Sequence, residues 1–198
     1  MYNLVVFFNN LIKEKIEMLA TTSAPYGTYA VNSNNNYIID PTHHVVEMRH
    51  GGRLNQSIIL KYEDGSEWVF LNNRPEERFC GFLYLQKALN DLNVSRLQPA
   101  ENKIAIHERK IIYLSKYYGD NKPGFMELHQ YSKELSVLNQ DVKFTDTAGN
   151  ANLREHNGVV YVFDTEKGSF DKSVHEKIDS FIHQHDRIRS ILEESIGK

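Results

Sequence analysis

Apolar positions recur along this chain in two periods, one helical and one strand-like. Near the N-terminus Leu4, Phe7, Phe8, Leu11, Ile12, Ile16 and Leu19 fall close to helical spacing, which predicts an amphipathic helix over residues 1–20. Packing on the body of the protein and docking on a partner are both open to that helix. Residues 21–44, TTSAPYGTYAVNSNNNYIIDPTHH, are rich in Ser, Thr, Asn, Pro and Gly and predict a linker or loop. The runs SIILKY and EWVFLNN flank EDGS, two β-rich segments around an Asp-Gly turn, and predict a hairpin. Pro75 at a first helical position, followed by Glu76 and Glu77, opens a helix to about Leu92. Its buried stripe is expected to hold Phe79, Phe82, Leu83, Leu85 and Leu89. NKIAIHE and KIIYLSKYY read as two further strands, YGDNKPG as a break, and FMELHQYSKELSVLNQ as a helix. After a loop, the run Val159, Val160, Tyr161, Val162, Phe163 reads as a strand that ends on Asp164. A last helix is predicted from Val174, Ile178, Phe181, Ile182, Ile188, Ile191 and Leu192.

With 198 residues and 23.0 kDa, the pattern has material for one sizeable core or two small lobes sharing an interface. Lys and Arg number 23 against 26 Asp and Glu, a formal charge of -3. No global basic field exists to attract nucleic acid or an anionic membrane, so neither is an expected partner. Cys80, the single cysteine, excludes an internal disulfide framework and fits a reducing, cytoplasmic compartment. The apolar start of the chain lacks a basic flank and is broken by Asn9, Asn10, Lys13, Glu14 and Lys15. It reads as neither a signal peptide nor a membrane span. His43, His44, His175, His183 and His185 lack cysteine partners and read as solvated surface residues rather than zinc ligands. Cys80, between Phe79 and Phe82, reads as a small buried hydrophobe.

The segment DVKFTDTAGNANLREHNGVVYVFDTEKGSF, residues 141–170, concentrates the candidate chemistry. A carboxylate at the end of an apolar strand needs a partner. Asp164 can find one in backbone N–H groups of the next turn or in Arg154 on the neighbouring strand; a ligand is the other answer. Preceded by a hairpin, a helix and two strands, this segment resembles the catalytic loop and metal-binding segment of the protein kinases. It also resembles small, divergent kinase-like proteins, some from bacteria living inside host cells, that carry an NLR, NG, DTE, SF pattern. The resemblance implies an α+β, protein-kinase-like fold, with a small antiparallel β lobe carrying one helix and a minimal helical C-lobe. It implies that Asp146 orients an acceptor hydroxyl. Asn152, or Asn150, would join Asp164 in holding Mg²⁺ for ATP. The expected division is 1–20 helix, 21–44 linker, 45–118 β-rich lobe and 119–198 reduced helical lobe.

Departures from the family's pattern are substantial. Phe144 and Thr145 precede Asp146, position 151 is Ala where the family has its Asn, and Leu71 and Asn72 stand where a strand Lys should clamp the nucleotide's phosphates. Lys61, on the preceding strand, is the candidate replacement; its other reading is an exposed strand lysine. Gly51 and Gly52 lack the spacing of a phosphate-binding glycine loop, and Glu77 reads as a first-turn charge. Only 34 residues follow Asp164, too few for the platform on which a protein kinase holds a peptide. The expectation is therefore a catalytically weak or inactive, pseudokinase-like protein with a protein partner, and by resemblance alone secretion into a host cell. The alternative is a non-enzymatic interaction module of unrelated α+β fold.

Overall fold

The computed structural model describes residues 28–31, 37–40, 45–51, 57–71, 73–107, 110–119, 122–147 and 151–196. The predicted helix over 1–20, His43, His44, Asn72 and Asn150 lie outside the described residues. The chain is α+β. Seven strands, β1 (Thr28–Val31), β2 (Tyr37–Asp40), β3 (Val45–Gly51), β4 (Ser57–Tyr62), β5 (Glu67–Leu71), β7 (Asn102–His107) and β8 (Lys110–Lys116), form one sheet. Its order is β2-β1-β7-β8-β5-β4-β3, and every pairing is antiparallel. Strand β6 (Leu97–Pro99) lies parallel to β10 (Val159–Val162), which pairs antiparallel with β9 (Leu153–His156), making a second, three-stranded sheet.

The predicted hairpin is β4 and β5. Gly65 takes the left-handed conformation at φ 80° that closes its turn, and Tyr62 N–H donates to Ser66 O at 2.9 Å. Two short strands, TYAV and YIID, occupy the segment expected to be a loop; both are β-favouring runs masked in the sequence by the Asn- and Pro-rich residues between and after them. Asn157 and Gly158, at φ 52° and 78°, turn β9 into β10 as an Asn-Gly pair suits.

Helix α1 (Pro75–Asp91) carries Pro75 at its start and Glu76 and Glu77 in its first turn. It is more than one-sided: Cys80, Gly81 and Tyr84 are buried along with the predicted stripe, because the helix runs between two packing surfaces. One face joins Cys80, Tyr84, Leu85 and Leu89 to Leu97, Leu138, Phe144, Val160, Val162 and Phe170. The other joins Phe79, Phe82 and Leu83 to Ile104 and Tyr113 of the large sheet and to Ile188 and Leu192 near the C-terminus. Burying each such phenylalanine is worth about 2–3 kcal/mol. Side chains alternate across β8, so Ile112 and Leu114 enter a third cluster with Leu60 and Trp68 on the opposite face.

Both remaining predicted helices are broken. FMELHQYSKELSVLNQ forms α2 (Phe125–His129) and α3 (Ser132–Gln140), with Tyr131 between them turned into the core at 1% exposure. The last helix divides into a 3₁₀ turn (Lys172–Val174), α4 (His175–Asp179) and α5 (Ile182–Ile196). Among the described residues no helix is long and apolar enough to cross a membrane.

Candidate functional site

Three of the predicted site residues, Asp146, Asn152 and Asp164, are brought together by backbone ties as well as by side chains. Thr145 N–H and Asp146 N–H both donate to Ser169 O, at 2.8 and 3.3 Å, and Phe144 forms a bridge with Phe170. The loop bearing Asp146 is thereby fixed to the turn that follows Asp164. Phe163 N–H donates to Asn152 O at 2.8 Å, which anchors the residue just before Asp164 to Asn152. From its side chain, Asn152 Nδ2 donates to Asp146 Oδ2 at 2.8 Å and to Asp146 O at 3.1 Å. The amide orients the Asp146 carboxylate and keeps its own oxygen as an acceptor.

Asp164, two residues past the end of β10, takes a left-handed conformation, φ 53°. Aspartate tolerates that region better than most residues, and an apolar β-branched residue continuing the strand would not. The reversal sends the next residue, Thr165, into α1. There its hydroxyl donates to Arg78 O at 2.7 Å, and Gly81 leaves room for the Thr165 carbonyl: a Cβ at that position would lie 1.8 Å from the oxygen. An isolated glycine within a helix marks a close backbone approach of this kind.

Arg78 is the cation that meets Asp164. Its Nη1 lies 2.7 Å from Asp164 Oδ1, and its Nη2 lies 3.6 Å from Glu166 Oε2. The short contact is an ion pair that does not align as a hydrogen bond, since Oδ1 is buried and has no aligned donor. Burial pushes the Asp164 carboxyl above the usual aspartate range; Arg78 pulls it down, and the charges of Glu166 and Asp146 push it up again. Negative charge is therefore in excess around one guanidinium.

Arg154, the partner expected for Asp164, gives its donors to the carbonyls of Gly119, Ala151 and Leu153 at 2.7–3.1 Å. Lys61 lies on β4 of the large sheet. It faces Glu47 across the β3–β4 pair, Nζ to Oε2 3.9 Å, with 43% of its side chain exposed, and it is not among the charges that act on Asp164. The Lys61 side chain is thus that of an exposed strand lysine facing a carboxylate on the neighbouring strand. Glu77 pairs with Arg74 at 3.5 Å within the first turn of α1. Cys80 is buried, and burial pushes its thiol up to about 12, which leaves it unreactive.

The surface reading fails for His185, which is 2% exposed. Its Nε2 shares a 2.7 Å hydrogen bond with Tyr113 Oη and its Nδ1 a 2.9 Å one with Asp186 Oδ1. That network ties α5 to the large sheet. A polar cleft of about 520 Å³ lies elsewhere, between the β4–β5 turn and the β9–β10 hairpin, lined by Glu67, Lys116, Tyr118, His156 and Tyr161. Among the described residues no three His, Cys, Asp or Glu side chains gather as a metal-binding group.

Arg78 is the residue beside Asp164 that sequence reasoning missed. Its signal was the pair Arg78 and Gly81, three residues apart on one face of α1: a glycine for close approach beside a cation. Comparison with family models, with curated proteins and with solved structures finds no match to this chain.

Proposed function

We propose that the chain is a kinase-like module, catalytically weak or inactive, which binds a nucleotide with Mg²⁺ feebly and acts chiefly by holding a protein partner. The observation that carries this reading is the meeting of Asp146, Asn152 and Asp164, joined by Asn152 Nδ2 to Asp146 and by Phe163 N–H to Asn152 O. Element order supports it. A three-stranded meander, β3 to β5, is followed by α1 and by β7 and β8, with β8 returning beside β5; short helices, the Asp146 loop and the β9–β10 hairpin come after.

The donor chemistry fits a hard divalent ion: one carboxylate and one amide oxygen suffice where phosphates and water complete the shell. A bound Mg²⁺ would neutralise charge on nucleotide phosphates. Asp164 and Asn152 are the residues to hold it, and Asp146, fixed by the Asn152 amide, is the residue to orient an acceptor hydroxyl. With Lys61 turned to Glu47, the phosphates lack their usual strand lysine, which is why the reading is of weak or absent transfer.

Isothermal titration with ATP and Mg²⁺ tests it. The expected result is Mg²⁺-dependent heat with a dissociation constant on the order of 1 mM, lost in Asp164→Asn. Heat that ignores both the metal and Asp164 overturns the nucleotide reading. A second reading, a non-enzymatic interaction module of unrelated α+β fold, is favoured by one observation: Asp164 already has a partner in Arg78. Its expected signature is no heat in either protein, with Asp164→Asn markedly less stable.

A further inference from the structure

The residue facing Asp164 is a cation fixed to a helix, and its surroundings hold it there. Arg78 is only 18% exposed. Its Nε donates to Asn73 O at 2.9 Å, its own carbonyl accepts from Thr165, and its guanidinium spans Asp164 and Glu166. Both ends of the ion pair are thus positioned by contacts independent of the pair itself, since the Thr165 hydroxyl and the Gly81 gap fasten the Asp164 turn to α1 through backbone atoms. A cation held in this way occupies the carboxylate oxygen that a metal ion would need. We infer that Arg78 is an autoinhibitory occupant of the Asp164 site, a resident guanidinium that a nucleotide-bound divalent cation must displace before it reaches the carboxylate.

This inference rests on the nucleotide reading above and adds its regulation. When a binding group is free for only a fraction of the time, apparent affinity falls by that fraction. The frame around the site does not need to move, because the Thr165–Arg78 and Gly81–Thr165 contacts involve backbone atoms that persist when the guanidinium swings away. What changes is the occupant of Asp164 alone. Anything that draws Arg78 elsewhere, such as a partner's carboxylate, would then prime the site.

Titrations of Mg²⁺-ATP into the wild type, Arg78→Gln and Arg78→Lys test the inference. Arg78→Gln is expected to bind about tenfold or more tightly than the wild type, and Arg78→Lys, which keeps the charge, to stay near it. If Arg78→Gln binds more weakly while the wild type still binds, the inference falls and the nucleotide reading stands, with Arg78 then a phosphate ligand. If neither protein binds, both fall. A measurement on the unmutated chain guards against a variant that does not fold. The Arg78 Nε–H resonance is expected to shift on addition of Mg²⁺-ATP and to stay put on ATP alone; a resonance unmoved at saturation overturns displacement.

Discussion

Asp164 shows how one residue can report on its whole surroundings. Its folded carboxyl keeps a proton to higher pH than the ordinary value of 3.8, with burial as the main cause. Just above that value the folded state binds more protons than the unfolded chain, so this group's contribution to stability falls as pH rises through its folded pKa. Asp164→Asn removes the titration and keeps a side chain suited to the left-handed backbone. The stability of the wild type minus that of Asp164→Asn is therefore expected to decline as pH rises from below 3.8 through the acid range. Urea midpoints for both proteins across that range measure it; an increasing difference would mean that the Arg78 pairing outweighs burial. The order of Asp146, Asn152 and Asp164 was legible in the sequence because it is a property of the chain itself, and the fold adds the reach of the Asn152 side chain to Asp146; Asn150 lies outside the described residues. Arg78 was not legible from charge pattern, because its partners lie over eighty residues away and only the fold brings the α1 face to the Asp164 turn.

At the scale of elements, the contact that defines the candidate site is helix against turn. Gly81→Ala would place a methyl group 1.8 Å from Thr165 O, and the backbone on one side must move. A loss of about 3 kcal/mol is expected, together with a changed environment for Asp164. Thr165→Val keeps the shape of the 3%-exposed side chain but leaves the Arg78 carbonyl without that donor, a loss of about 1 kcal/mol. Thermal or urea denaturation ranks the two, and equal losses would argue that the close approach is easily relieved. Elements with a strong local signal were legible: the Asp-Gly hairpin and the Pro-initiated α1 appear where periodicity puts them. Those resting on distant pairing were not. Strand β6 is three residues long and exists through its parallel partner β10, and Tyr131 breaks the α2–α3 run because its ring is buried in the core. Local pattern carries no record of such partners.

For the whole molecule, the question is what holds the C-terminal helix against the sheet and so keeps α1 enclosed. Ile188 and Leu192 pack with Phe79, Phe82 and Tyr113, and Arg189 reaches Glu76 on α1 at 3.2 Å, but that ion pair is half exposed and contributes little. The directional tie is the buried hydrogen bond between His185 and Tyr113, with Asp186 on the other ring nitrogen. A polar pair this deep fixes register, since any slide of α5 would bury its groups without partners. Tyr113→Phe keeps the ring stacked near His185 and deletes only the hydroxyl, leaving one ring nitrogen unpaired, so a loss of about 1–3 kcal/mol is expected. His185→Leu removes the other half, and Tyr113→Phe should cost much less in that background, because no buried nitrogen remains to be orphaned. The double-mutant cycle therefore predicts a coupling of about 1 kcal/mol. Additive losses would assign the docking of α5 to its apolar contacts alone, and α1 would then be free to separate from the sheet without first breaking a polar tie.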